Sequence, residues 1–154
     1  MRTYKSILRF FLTGASALVL LLSFSGCNGT EPSPFRKTLF EALKDKTWTL
    51  KNVTVNDVDK TGLYLKDMTL VFGGDFNKSD FTYTTTNGGK VWPASGKWEF
   101  VTDTQVKRDD GVVIDLKEWV VTSLKMEFVW AGSTSYGGRT ESTSGKHVMQ
   151  FAAQ

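Results

Sequence analysis

The stretch LKMEFVW at residues 124–130 places an apolar side chain at every second position. Charged Lys125 and Glu127 occupy the positions between Leu124, Met126 and Phe128. A period of two is typical of a β-strand with one face in a core and the other in water. The predicted inward set is Leu124, Met126, Phe128 and Trp130.

Outward from this stretch, the same alternation recurs between turn signals such as Asn87-Gly88-Gly89 and Asp110-Gly111. In the first strand, Trp48 and Leu50 share one parity and Val53 and Val55 the other, which predicts a bulge near Lys51-Asn52. Six further strands are predicted besides the first strand and 124–130. One is the short strand 104–108. The inward sets of the other five, in chain order, are Met68, Leu70 and Phe72; Phe81, Tyr83 and Thr85; Gly96, Trp98 and Phe100; Val112, Ile114 and Leu116; and His147, Met149 and Phe151.

One short helix precedes the strands. Ser33-Pro34 is a typical helix start, and the apolar residues that follow have helical spacing, so we predict a helix over 34–45 that packs on the core. One helix and eight short strands joined by short turns predict an all-β fold, an eight-stranded antiparallel up-and-down barrel. Closure of such a sheet removes its edges.

The first 26 residues have the three parts of a secretory signal peptide: a basic start, an apolar run over 10–24, and small residues before Cys27. Ser25-Gly26-Cys27 resembles a bacterial lipobox, in which the Cys sulfur takes a diacylglycerol and becomes the new N-terminus. We therefore predict a lipoprotein signal peptide (1–26), a tether (27–33) and a barrel domain (34–154). Lipidated Cys27 would hold the protein on a membrane of the bacterial cell envelope, expected to be the outer membrane. The alternatives are an ordinary signal peptide with a chance Cys and an uncleaved anchor, for which the apolar run is short.

Charge and composition exclude several function classes. The formal charge of +3 comes from Arg2, Lys5 and Arg9, and beyond residue 26 the chain has 16 basic and 16 acidic residues. No basic domain remains for nucleic-acid binding. The single Cys excludes an intramolecular disulfide, and the single His removes most metal-site and catalytic-triad interpretations. We predict no cofactor, no metal and no catalytic residues.

The order of elements and the early Trp48 resemble the lipocalin-like domains of small bacterial lipoproteins, over about residues 34–152. Trp48 occupies the place of the Trp in the lipocalin Gly-x-Trp motif, but Lys46-Thr47-Trp48 lacks the Gly. Arg139 precedes the last strand, unlike the lipocalin Arg that packs on that Trp. The resemblance implies a barrel that binds a small hydrophobic ligand.

Successive strands of an up-and-down barrel run in opposite directions, so every second loop lies at the same end. This parity puts the longest loops, 56–66, 87–95 and 131–145, at one end and the helix at the other. Long loops on a rigid scaffold are where sites usually lie, which predicts ligand binding by Tyr64, Trp92, Tyr136 and Arg139. The alternative is that 131–145 is only a flexible connector and that Trp92 caps the barrel. The many inward rings predict a shallow pocket near the mouth rather than a deep one.

Other motifs have simpler interpretations. Asp57, Asp59, Thr61 and Gly62 match the start of a calcium-binding EF-hand loop, but position 12 is Met68, so a polar turn-rich loop is the default. His147, the only His in the chain, is expected to be structural.

These observations favour a non-enzymatic, membrane-anchored module that binds a small hydrophobic or amphipathic ligand at the loop end. The alternative is a structural or protein-interaction module of the envelope, with a filled barrel and no ligand. An open apolar pocket would favour the first, and a filled barrel the second.

Overall fold

The computed structural model describes residues 33–132, 134–136, 139–141 and 143–154, with side chains given outside 134–141. The predicted signal peptide and Cys27 lie outside the described residues. The elements are helix α1 (Pro34–Leu43), a 3-10 turn (Phe76–Lys78) and strands β1 (Thr47–Val55), β2 (Val58–Asp59), β3 (Thr69–Asp75), β4 (Asp80–Thr86), β5 (Ser95–Phe100), β6 (Gln105–Arg108), β7 (Val113–Val120), β8 (Ser123–Trp130), β9 (Thr134–Tyr136), β10 (Arg139–Glu141) and β11 (Gly145–Ala153).

Eight strands form a closed antiparallel barrel, which confirms the predicted fold class. Sequential neighbours pair from β3 to β8, and β11 pairs with both β8 and β1 to close the cylinder. The closing seam runs from Trp48 opposite Ala153 to Val55 opposite His147. The two-residue β2 only adds to the end of β1. Every barrel strand therefore has a neighbour on each side.

The predicted bulge in β1 is confirmed, since its register with β11 shifts between Leu50 and Asn52. The extra residue moves Trp48 and Val53, which have opposite parity, onto the same buried face. A second bulge, between Leu116 and Glu118 in β7, was not predicted.

Helix α1 covers one end of the barrel, as expected. Ser33 Oγ accepts a hydrogen bond from the Phe35 amide and caps the helix, and Pro34 occupies its first turn. The helix ends at Leu43, two residues before the predicted end, because Lys44 is extended and forms a bridge with Phe72. Trp48 Nε1 donates to the Leu43 carbonyl at 2.9 Å, which ties the start of β1 to the end of the helix.

The two ends of the barrel are arranged as parity predicted. At the helix end, the helix contacts the turns 76–79 and 101–104 and the end of β7: Phe40 packs on Phe76, Arg36 pairs with Asp103 and Phe35 packs on Trp119. The opposite end, here called the loop end, is formed by the loops 56–68, 87–94, 109–112 and 131–144. There Asn56 contacts Ser144 and Trp92 contacts Phe128.

Side chains fill the barrel interior between these ends. Trp98 is inward, as predicted: it is 5% exposed and stacks on Phe81 with ring centroids 4.8 Å apart. Phe76, in the 3-10 turn that the sequence did not predict, adds a further buried ring. Of the predicted inward aromatic residues, Phe72, Phe81, Tyr83, Trp98, Phe128 and Phe151 are buried, and Phe100 and Trp130 are partly buried against the core.

Candidate functional site at the loop end

Trp92 plugs the loop end of the barrel. It is 1% exposed and makes edge-to-face contacts with Tyr83 and Phe128, at centroid distances of 6.1 and 5.7 Å. A Cβ at Gly88 would lie 2.3 Å from the Trp92 carbonyl oxygen, so the turn that delivers this Trp requires glycine. The position of Trp92 therefore fits the alternative interpretation, in which this side chain caps the barrel rather than binding a ligand.

Tyr64 and His147 form a second part of the plug. Tyr64 is 4% exposed and His147 is fully buried. His147 Nδ1 lies 3.1 Å from the Gly145 carbonyl oxygen, which only accepts, so Nδ1 carries the proton. His147 Nε2 then accepts a hydrogen bond from the Tyr64 hydroxyl at 3.3 Å. The imidazole stacks on Phe128 with a centroid distance of 5.1 Å. His147 thus holds the loop 56–68 against β11 in its neutral form.

Burial lowers the pKa of His147, although the hydrogen bond to Gly145 opposes this effect. Below about pH 6.5 the unfolded chain then binds a proton that the folded barrel does not, so stability falls as the pH falls. We expect the free energy of unfolding to drop between pH 7.5 and 5.5 by at most about 1.4 kcal/mol per pH unit.

Urea unfolding of the wild type and His147→Gln across this range tests the effect, since the chain has no other His. The variant should lose this pH dependence. An identical slope in both proteins would assign it to other groups.

Arg108 is a buried cation at the loop end, where its side chain is 1% exposed. Its guanidinium lies 4.6 Å from the Trp92 ring centroid and 6.0 Å from that of Phe128. Its counterion is Asp110, in the β6–β7 turn, which accepts from Nε at 3.1 Å and from Nη2 at 2.5 Å. Burial alone would raise the pKa of Asp110, but the hydrogen bonds and charge of Arg108 outweigh it, and the pKa is lowered.

Three buried polar atoms around Arg108 have no hydrogen-bond partner among the described residues: Arg108 Nη1, Tyr83 Oη and Trp92 Nε1. They belong to side chains that contact one another. Burial raises the pKa of Tyr83, so its hydroxyl stays protonated at neutral pH. Gly96 makes room for it, since a Cβ there would lie 2.5 Å from Tyr83 Oη. The cluster therefore offers hydrogen-bond donors to a small acceptor group.

The structure brings Tyr64 and Trp92 to the same end of the barrel as predicted, but both rings face inward and are buried. The strands β9 and β10 form a hairpin within the loop 131–145, in which Tyr136 lies opposite Arg139. The side chains of these two residues lie outside the described set. Their predicted ligand contacts therefore stay predictions.

Sequence reasoning missed Arg108 and Tyr83 as members of this cluster. The alternation of residues in β6 could have indicated that Arg108 is buried. Val106 and Arg108 face inward, while Gln105 and Lys107 are half-exposed. A basic residue on an apolar face, followed two positions later by Asp110, indicates a buried ion pair.

The loop that resembles the start of a calcium site is a turn. Asp59 Oδ1 accepts from the Thr61 amide at 2.8 Å, and hydrogen bonds from the Thr61 side chain and backbone lower the pKa of Asp59. Thr61 Oγ1 in turn accepts from the Val53 amide. In the described part of the chain, no three His, Cys, Asp or Glu residues are grouped as metal ligands would be.

Comparisons with protein-family models, with curated proteins and with solved structures give no match. No helix within the described ranges is long and apolar enough to cross a bilayer.

Three clefts among the described residues are broad and open to solvent on the barrel wall. The one with a volume of about 580 Å³ lies over β5 and β6 and is lined by Lys97, Lys107 and the edge of Arg108. A second, of about 500 Å³, lies over β7 and β8. The third, of about 180 Å³, separates β1 from the segment 61–67. Most of their lining side chains point away from the core, so these clefts are features of the outer surface.

Proposed function

We propose that the protein is a non-enzymatic lipoprotein of the bacterial envelope, whose filled lipocalin-like barrel is a rigid module for interaction with another protein. The observation that supports this most is the packed interior: buried aromatic and aliphatic side chains run from helix α1 to the Trp92 plug. A hydrophobic ligand the size of a fatty acid would need several of these rings to move. Such a barrel is suited to presenting its loops and outer wall.

The membrane anchor in this proposal is Cys27. The chain before it has the basic, apolar and small-residue parts of a lipoprotein signal peptide. Acyl chains on its sulfur and new amino group would give stable membrane binding, because more than one chain is attached.

Acyl-probe labelling of bacterial cells that express the protein tests this anchor. We expect labelled wild-type protein in the membrane fraction and no label on Cys27→Ala. Equal labelling of both forms would place the lipid elsewhere and contradict the proposal.

A second candidate function, binding of a small amphipathic ligand at the loop end, is favoured by the three unpartnered polar atoms around Arg108. A carboxylate or another acceptor could receive hydrogen bonds from Arg108 Nη1, Tyr83 Oη and Trp92 Nε1. The apolar part of the ligand would then lie near the mouth, in line with the expected shallow pocket.

Titration with a fluorescent fatty acid separates the two functions. The filled-barrel proposal expects no saturable increase in fluorescence. Saturable binding that Tyr83→Phe weakens would favour the second candidate, since this variant removes one hydroxyl and retains the ring.

A further inference from the structure

Large apolar side chains are exposed at the helix end, where the tether joins the domain. We call Phe35, Val101, Val120 and Val121 the helix-end patch; they are 38%, 45%, 50% and 66% exposed. Phe35 belongs to the first turn of α1, Val101 follows β5, and the remaining two form the tip of the β7–β8 hairpin.

Contacts of the helix bring these residues to one surface. The Phe35 ring packs edge-to-face on Trp119, beside the β7–β8 tip, with centroids 5.2 Å apart. The next residue, Arg36, pairs with Asp103 in the turn that starts at Val101, at 3.0 Å. The first turn of the helix therefore lies between the two hairpin turns that carry the valines.

The composition of this surface is unusual for hairpin turns in water. Turns favour Gly, Pro, Asn, Asp and Ser, and β7 begins from such a turn, Asp109-Asp110-Gly111, at the loop end. At its other end β7 leads into Val120 and Val121, whose branched apolar side chains point into solvent. Exposed apolar groups clustered on one surface indicate a site that another surface covers.

We propose that the helix-end patch rests on the lipid bilayer that holds lipidated Cys27. This inference depends on the anchor proposed above. Six peptide steps separate Cys27 from Ser33, so the helix start would lie within about 20 Å of the acylated residue. A bilayer is therefore the surface nearest to the patch. Apolar side chains at such an interface reach about 5–10 Å into the boundary between head groups and acyl chains.

The other exposed apolar residues would face away from that bilayer. Val58 and Leu63 belong to the loop end, and Val113 and Val129 lie on the wall close to it. Val129 is 69% exposed and lies six residues beyond Ser123, where β8 leaves the hairpin tip, a separation of about 20 Å along the strand. In this orientation the loop end points into the aqueous compartment, where a partner would meet it.

A fluorescent label at one thiol tests the contact. In the acylated protein Cys27 has no free thiol, so Val121→Cys or the matched control Val129→Cys provides the labelling site. Each labelled lipoprotein is reconstituted into phosphatidylethanolamine–phosphatidylglycerol vesicles with and without spin-labelled lipid. For the fluorescent label at position 121 we expect a blue shift of its emission and quenching by the spin-labelled lipid. For the label at position 129 we expect neither effect.

Mass measurement of the labelled protein and flotation with the vesicles first establish that Cys27 is acylated and anchored. With anchoring established, equal quenching at both positions, or at neither, would overturn the contact and leave the anchor intact. An unacylated Cys27 would instead overturn the anchor and the inference that depends on it.

Discussion

Replacing Trp98 by alanine is expected to lower the free energy of unfolding by about 3–5 kcal/mol, as for a large aromatic residue removed from a core. Trp98 is 5% exposed and contacts rings of the helix, β3, β4 and β5. Its Nε1 also donates to the Thr82 carbonyl at 3.1 Å, and that acceptor would lose its partner. The cavity would also remove the contact between Trp98 and Phe40 of the helix.

Chemical denaturation of purified protein measures the effect, with Trp119→Ala as the control. Trp119 is also a strand tryptophan, but it is only partly buried, so its replacement should cost clearly less. A loss below about 1 kcal/mol for Trp98→Ala would contradict the packing described here.

Replacing Asp110 by alanine is expected to destabilise the barrel by about 3 kcal/mol, because it leaves the Arg108 cation buried without its counterion. We expect the lower end of the range for buried ion pairs because the Asp110 side chain is 35% exposed and water can partly replace it. Its lowered pKa means that this contribution is present above about pH 4 and is lost as the pH falls through the folded-state value.

The neighbouring carboxylate provides a matched control. Asp109 accepts a hydrogen bond from the Lys97 amide at 2.9 Å, and Asp109→Ala should cost only about 1 kcal/mol. The double variant Arg108→Met/Asp110→Ala should regain stability relative to Asp110→Ala, because it removes the stranded charge. If Asp109→Ala and Asp110→Ala were equally destabilising, the ion pair would have no special role.

Most of the fold could be predicted from the sequence because each barrel strand has one face in the core and one face in water, which gives an alternation of apolar and polar residues. The parity change between Leu50 and Val53 even located a bulge. The same kind of signal, a change of parity between Leu116 and Trp119, marks the second bulge in β7 and was missed. The 3-10 turn at Phe76 was missed because a single turn of three residues has no measurable periodicity.

The candidate site was harder to predict, since loop length indicates where a site lies but not which way its side chains point. Trp92 and Tyr64 were placed at the correct end, yet the local turns direct both rings into the barrel. Arg108 shows the opposite problem: a charged residue is expected outside, yet this one is buried, with its charge paired to Asp110 and its guanidinium against the Trp92 ring. The contact with Trp92 joins β6 to the loop 87–94, and it forms only when these parts of the barrel come together.

We propose that the protein is lipid-anchored and that its barrel holds no ligand. Native mass spectrometry of the protein purified from bacterial membranes tests both parts in one spectrum. We predict a chain that begins at acylated Cys27 and has no additional small molecule bound. A mature chain without acyl groups would contradict the anchor, and a stoichiometric ligand that survives transfer to the gas phase would contradict the filled barrel.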